Sequence, residues 1–446
     1  MAESGIIQHI RKNFFDIRKE EWPNVLLMSL FFFMVIATFW VLKPLKRGLL
    51  VNYYQTNPLQ FMGTSFAGAE VEQLAKVVNM VVVYAVVVIF TLLARKLKRQ
   101  HLNLALNLLF GGLFILFAGF MHNPGASTSW SFYVLGDMFN SAMVTFFWAY
   151  SNDIFNAKQA RRTYGIVGLG GIIGGIVGSS VVAGYVSELG RPTLLYICLI
   201  PLAVMIAIGY IVNRRTPGVR EPNTQEPCAE GKRCNAIFEG ANIVFKSNYL
   251  LAIVGIIGLY EIVSNIVDFQ LSATIASSIS GDLEKDAYFG LVGQITSIIS
   301  LVVQLFLTSF IMKRYGVGIA LLFLPLAITF GSVGFLVIPS LLFVTIMSAS
   351  DNSLNYSINQ SAKEALYTPT DQDTKYKAKA FIDMFVQRFA KVLAVVLNLA
   401  VAAWVGLQHV RWLSVACLVI LVFWIMTVRY VGREFDKKAA VEELPV

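Results

Sequence analysis

Charge is scarce in this chain. Asp, Glu, Lys and Arg supply only 14% of its 446 residues, against about 25% in an ordinary soluble domain. A water-soluble fold of this size needs more polar surface, so a soluble enzyme and a disordered chain are both excluded. Cysteine is nearly absent, with four residues, which excludes a disulfide scaffold. Cys198 and Cys417 fall in apolar runs. Cys228 and Cys234 lie in a polar stretch without the second Cys/His pair of a zinc site. The four histidines, His9, His101, His122 and His409, are scattered, and neither His-Glu-x-x-His nor Gly-x-Ser-x-Gly occurs. No metal, cofactor or catalytic centre is expected. The first 22 residues are polar and charged, so no cleaved leader is expected either.

Apolar length is abundant. Hydrophobic residues make up 56% of the chain and mean hydropathy is +0.65. A membrane-spanning helix takes about 20 apolar residues, so twelve would use roughly 240, close to the number present. The composition predicts an all-α, polytopic membrane protein. Hydropathy places spans near Asn24–Leu42, Val71–Ala94, Leu102–Met121, Trp130–Tyr150, Tyr164–Tyr185 and Pro192–Val212. A second set falls near Tyr249–Phe269, Ala287–Ile311, Val317–Val337, Ser340–Asn359, Ala380–Trp404 and Val410–Tyr430. The long polar segment between the sets contains Pro217, Pro222 and Pro227, as a solvated linker would. Residues 1–212 and 249–446 are therefore expected as two six-helix bundles, joined by a linker at 213–248. That is the plan of a major facilitator-type transporter.

Lys and Arg fall unevenly about these spans. One side collects Arg11, Lys12, Arg18 and Lys19, the Arg95–Arg99 turn, Lys158, Arg161 and Arg162, the linker, Lys313 and Arg314, Lys363, Lys375, Lys377 and Lys379. The other side has Arg191, Lys285 and Arg411. Cytoplasmic loops carry the positive excess, so both termini and the linker are expected in the cytoplasm, in a cell membrane that is bacterial by expectation. This asymmetry accounts for most of the net charge of +9, and no basic soluble module exists to bind nucleic acid.

Ionisable residues inside a bilayer are expensive and face a partner or a water-filled path. Lys43, Lys46 and Arg47 share one face of the first span by their i, i+3, i+4 spacing. They either flank the outer end of that helix or line a pathway. Asp137 and Asn140 lie in the fourth span. The seventh carries Glu261, Asn265 and Asp268 on one stripe. The tenth adds Ser348, Asn352, Asn355 and Asn359 with Asp351 alongside, and the eleventh Asp383, Gln387 and Lys391 with Arg388 nearby. Cations from Lys43, Lys46, Arg47, Arg388 and Lys391, facing Asp137, Glu261, Asp268, Asp351 and Asp383, would suit a multiply charged anion. Carboxylates among them would serve as gates or proton carriers. The glycines Gly168, Gly170, Gly171, Gly174, Gly175 and Gly178 sit inside a span. No βαβ unit surrounds them, so they predict close helix packing and not a nucleotide loop.

The segment Asp351–Lys391 contains Ser361-x-Lys363-Glu364, Tyr367-x-Pro369 and then Lys377-x-Lys379-Ala380-x-Ile382-Asp383, followed by Arg388 and Lys391. It resembles the nucleotide transporter family, the ATP:ADP antiporters. The first span, FWVLKPLKRGLL at Phe39–Leu50, is similar to that family's helix and aligns Lys46 with its functional lysine. By the same resemblance Asp137 and Asp268 stand on family glutamates, and Lys391 on a Gly-Lys position. Pro44 and Arg47 replace acids, and Gln270 replaces a basic residue. The resemblance implies a transporter of nucleotides or a similar organic anion, working by alternating access in a lipid bilayer. Two other readings stay open: a proton-coupled carrier of another solute, with Glu261 or Asp351 as the proton site, and a non-transporting membrane partner.

Overall fold

The computed structural model describes residues 18, 20–61, 63–155, 157–215, 241–368, 370, 378, 379 and 381–442. Cys228, Cys234, Arg11, Lys12, Lys19, Pro369, Lys375, Lys377 and most of the expected linker lie outside the described residues, as do the side chains of Arg95, Lys158, Arg161 and Asp383.

The chain is built from long helices: α1 (Trp22–Thr56), α2 (Gly68–Lys96), α3 (Arg99–Phe120), α4 (Ala126–Ile154), α5 (Ala157–Ile197) and α6 (Leu199–Arg215). After the linker come α7 (Asn248–Ser278), α8 (Asp282–Val302), α9 (Thr308–Val337), α10 (Leu341–Leu354), α11 (Gln387–Val405) and α12 (Leu413–Glu442). A small antiparallel hairpin, β1 (Leu59–Phe61) with β2 (Thr64–Phe66), links α1 to α2 and pairs Leu59 with Phe66. Three π turns, Val303–Leu307, Asn355–Asn359 and Ile382–Val386, follow α8, follow α10 and precede α11. Beyond the second of them the chain stays helical over Gln360–Ala365.

Glycine makes two of the chain reversals. Gly190 (φ 75°) breaks α5 and Gly316 (φ 81°) breaks α9, each in a left-handed conformation that a Cβ would oppose. The expected fifth and sixth spans lie on either side of the first, and the eighth and ninth on either side of the second. Several helices run past their expected ends, α7 to Ser278 and α12 to Glu442 among them. The first span was expected to end near Leu42, but α1 continues to Thr56, which carries Lys43, Lys46 and Arg47 well inside a helix. They do not flank its end.

Among the described residues, nine helices are long and apolar enough to cross a membrane by length and composition. Large apolar side chains point outward along them, Phe330 at 72% exposure among them, with Val81, Ile200 and Met426 similar. In water such a surface would aggregate; in a bilayer it is ordinary lipid contact. This is a multi-pass helical membrane protein.

The described residues form two compact units. One comprises those within Met1–Tyr53, Val78–Thr224 and Gly281–Ser297; the other, those within Tyr54–Val77, Gln225–Ser280 and Ile298–Val446. Most of α8, up to Ser297, thus packs in the first unit, and the first turns of α2 in the second. In the first unit Phe31 stacks on Phe147 at 6.0 Å, Phe146 on Tyr150 at 5.6 Å, and Phe110 meets Phe139 edge-on. The glycine run of α5 lies directly on α1. A Cβ at Gly170, Gly174 or Gly178 would stand 2.3, 2.4 or 2.2 Å from the carbonyl oxygen of Ser29, Phe33 or Ala37. Side chains four apart share a helix face, so this stripe brings two backbones into contact, as small residues do in membrane helices.

Candidate functional site

In the first unit the polar site grows from two facing helices. Lys46 of α1 is only 4% exposed and forms an ion pair with Asp137 of α4. Its ammonium also lies over the Tyr133 ring, 4.4 Å from the centroid. Tyr133, Gly136 and Asp137 occupy one face of α4 through their i, i+3, i+4 spacing. Gly136 makes room for the lysine stem, because a Cβ there would approach Lys46 Cδ to 2.7 Å. Asn79 of α2 donates to Asp137 Oδ2 at 2.5 Å, so the carboxylate holds two partners at once. Lys43 lies over Trp40 at 4.4 Å and the Arg47 guanidinium over Phe289 at 4.7 Å. Asn140, one turn beyond Asp137, is half-buried.

The second unit has its own polar stripe on α7. Asp268 pairs with Lys76 of α2, and Glu261 Oε2 lies 3.5 Å from the Lys391 ammonium. Between them Asn265 donates to the Glu261 carbonyl at 2.7 Å. Asn398 of α11 donates to the Asn265 carbonyl at 3.2 Å and to Gln73 Oε1 at 3.4 Å. Ser272 donates to the buried Glu72 carboxylate at 2.5 Å. Asp351, almost fully buried in α10, accepts from Ser264 at 2.6 Å. Asn352 bonds back to the Ser348 carbonyl at 3.0 Å of its own helix. Asn355 Oδ1 accepts from Asn359 at 3.0 Å and from Lys363 at 3.3 Å. Arg388 is exposed.

The structure therefore brings Lys46 to Asp137, and Glu261 to Lys391. It gives Asp268 a partner that sequence reasoning passed over. Glu72, Lys76 and Asn79 stand at i, i+4, i+7, the same stripe spacing that singled out α7. They lie within the expected second span, Val71–Ala94, and the sequence reading does not single them out. If Lys76 and Asp268 support one another, Lys76→Ala and Asp268→Ala should each lower the unfolding temperature in detergent, and the double variant should lose less than the sum. Coupling within such a pair is typically about 0.5–3 kcal/mol. Additive losses would show that each group acts through other neighbours.

Buried ion pairs within long lipid-facing helices mark a polar site inside the membrane region, and solved structures of transporters share the fold. The nucleoside transporter NupG superposes with a TM-score of 0.65 at 14% identity, covering 91% of this chain and 99% of that one. The sequence family described as TLC ATP/ADP transporter matches residues 2–128, 120–348 and 336–435, and the chain belongs to it. ADP,ATP carrier protein 1 of Chlamydia trachomatis is 24% identical over 97% of this chain and 93% of its own length. ADP,ATP carrier protein 3 of Rickettsia felis is 23% identical over 69% of this chain and 71% of its own.

Proposed function

We propose that this protein exchanges ATP and ADP across a membrane by alternating access. The reading has twelve spans in two six-helix halves, 1–212 and 249–446, with both termini and the linker at 213–248 in the cytoplasm. The observation that carries it is the Lys46–Asp137 pair in a chain of this family. A lysine already paired to a carboxylate is desolvated and positioned, and a phosphate can take it by exchange of anions. Asp137 then keeps the Asn79 hydrogen bond and is not left as an orphaned charge. Lys43 and Arg47, each against a ring face, put two more cationic groups on the same helix as Lys46. In this reading Asn140, Asn352 and Asn355 offer amides to the uncharged part of the substrate. Glu261, Asp268, Arg388 and Lys391 complete the charge balance of the second unit.

Proteoliposomes test it. Labelled ATP should enter vesicles preloaded with ADP and not empty ones. Entry into empty vesicles under an acid-outside gradient would favour proton symport, which the burial of Asp351 against a single serine supports as a second reading. No entry under any gradient would leave the non-transporting partner. Orientation has its own test: a cysteine at Gly125 should react with an impermeant maleimide in intact cells and Cys228 should not. The reverse pattern would invert the topology.

A further inference from the structure

A second buried charge cluster stands apart from the Lys46 site. Arg191 follows the Gly190 reversal, and Lys285 and Asp286 open α8. The sequence puts Arg191 and Lys285 between expected spans on the outer side, and the structure buries both. Arg191 is 7% exposed and Asp286 fully buried. The guanidinium grips the carboxylate with two bonds, Nε to Oδ2 at 2.6 Å and Nη2 to Oδ1 at 3.1 Å. Nη2 also reaches the Asp282 carbonyl at 3.5 Å, which accepts from Asn52 of α1 at 2.9 Å. Gly48 is what admits the carboxylate, since a Cβ there would lie 1.6 Å from Asp286 Oδ1.

From this pair inward, α8 rides on α1 and α5 over glycines. A Cβ at Gly290 would stand 2.8 Å from the Ala183 nitrogen, and one at Gly293 2.6 Å from the Trp40 ring. Past Ser297 the same helix belongs to the second unit. In the transport reading, a helix attached at both ends has to loosen one attachment in the course of a cycle. The stretch up to Ser297 has the attachment suited to release. It is lined by small residues and closed by a pair whose desolvation largely offsets its attraction, so it is specific in geometry yet adds little net stability.

We propose that Arg191 and Asp286 are gating residues: their pair latches the start of α8 to α1 and to the Gly190 turn, and it opens and recloses in every transport cycle. The inference rests on the transport reading above. With cytoplasmic termini, α8 begins on the outer side, so the latch closes the path to the outside.

Two measurements test it. In a background with the four native cysteines replaced by serine, Gly48→Cys is combined with Asp286→Cys. The Asp286 Cα lies 3.4 Å from the Gly48 Cβ position, within disulfide reach. Both exchange readings are made on this one double variant, which has given up the Asp286 carboxylate: oxidation should abolish whatever ATP/ADP exchange the reduced protein retains, whereas equal exchange before and after cross-linking, with thiols verified as consumed, would make the contact a permanent strut and overturn the proposal. The second measurement needs no nucleotide. In the same background Asn52→Cys is labelled from outside with impermeant maleimide, with and without Arg191→Gln. Labelling should be about tenfold faster in the Gln variant, because a buried carboxylate that has lost its bidentate partner favours the state that admits water. An unchanged rate in protein that remains monodisperse overturns the latch, whether or not ATP and ADP prove to be the substrates.

Discussion

Lys46→Ala should weaken nucleotide binding by about tenfold or more, while Lys98→Ala leaves it within about twofold, given that a hydrogen bond to a charged group contributes about 1.5–3 kcal/mol. The comparison is a fair one because both variants remove a single lysine. Lys98 is an exposed residue preceding α3, whereas Lys46 is buried against Asp137, Tyr133 and the bare backbone of Gly136. Equilibrium binding of labelled ADP to detergent-solubilised protein reads the effect directly. Lys46→Arg keeps the charge, but it asks a planar fork to fit a slot shaped for a slender stem. It should recover only part of the loss. Equal, small effects from Lys46→Ala and Lys98→Ala would reduce the Lys46–Asp137 pair to a packing element.

Gly178→Leu should be still more damaging, and at the level of folding. The Cβ alone would meet the Ala37 carbonyl oxygen at 2.2 Å, and both partners are helical backbone with no rotamer to escape into. Overpacking usually costs about 1–3 kcal/mol, and a clash that neither helix can relieve belongs at or beyond the top of that range. The expected result is aggregated or poorly expressed protein, or an unfolding temperature many degrees lower. Gly184→Leu is the control. Nothing lies within 4 Å of its Cβ position, and leucine is the better helix former, so that variant should unfold near the wild-type temperature. Matching losses at both positions would mean that glycine matters along α5 for its flexibility and not for the close approach to α1.

Hydropathy made the helices legible because a bilayer imposes one crude requirement, a sustained apolar run. It misplaced the end of α1 because polarity averaged over Lys43, Pro44, Lys46 and Arg47 looks like a terminus. The helix survives there since each cation has found a ring face or a carboxylate. Stripe spacing found Asp137, Glu261, Asp268 and Lys391 but could not say which cation each carboxylate meets. Partner choice is set by helix neighbours, and only contact between α2 and α7 reveals Lys76 as the partner of Asp268. The burial of Arg191 is not legible for a related reason. A charge beside a turn is solvated by default, and Arg191 is held inside by Asp286, whose carboxylate fits only because Gly48, far away in sequence, leaves space for it. The glycine stripe of α5 was readable because its period is its own explanation.

The π turn at Asn355–Asn359 holds one residue more than an α-helical path would need. A rod with a spare residue can shift its phase without unwinding. Absorbing that residue into regular α-helix would rotate everything beyond it by about 100° and move it about 1.5 Å along the axis. Lys363, now bonded to Asn355 and lying over Tyr260, would be turned onto a different face of its helix, while Asp351, before the turn, would stay against Ser264. In that regular-helix setting the basic end would face a new direction over an acidic residue that had not moved.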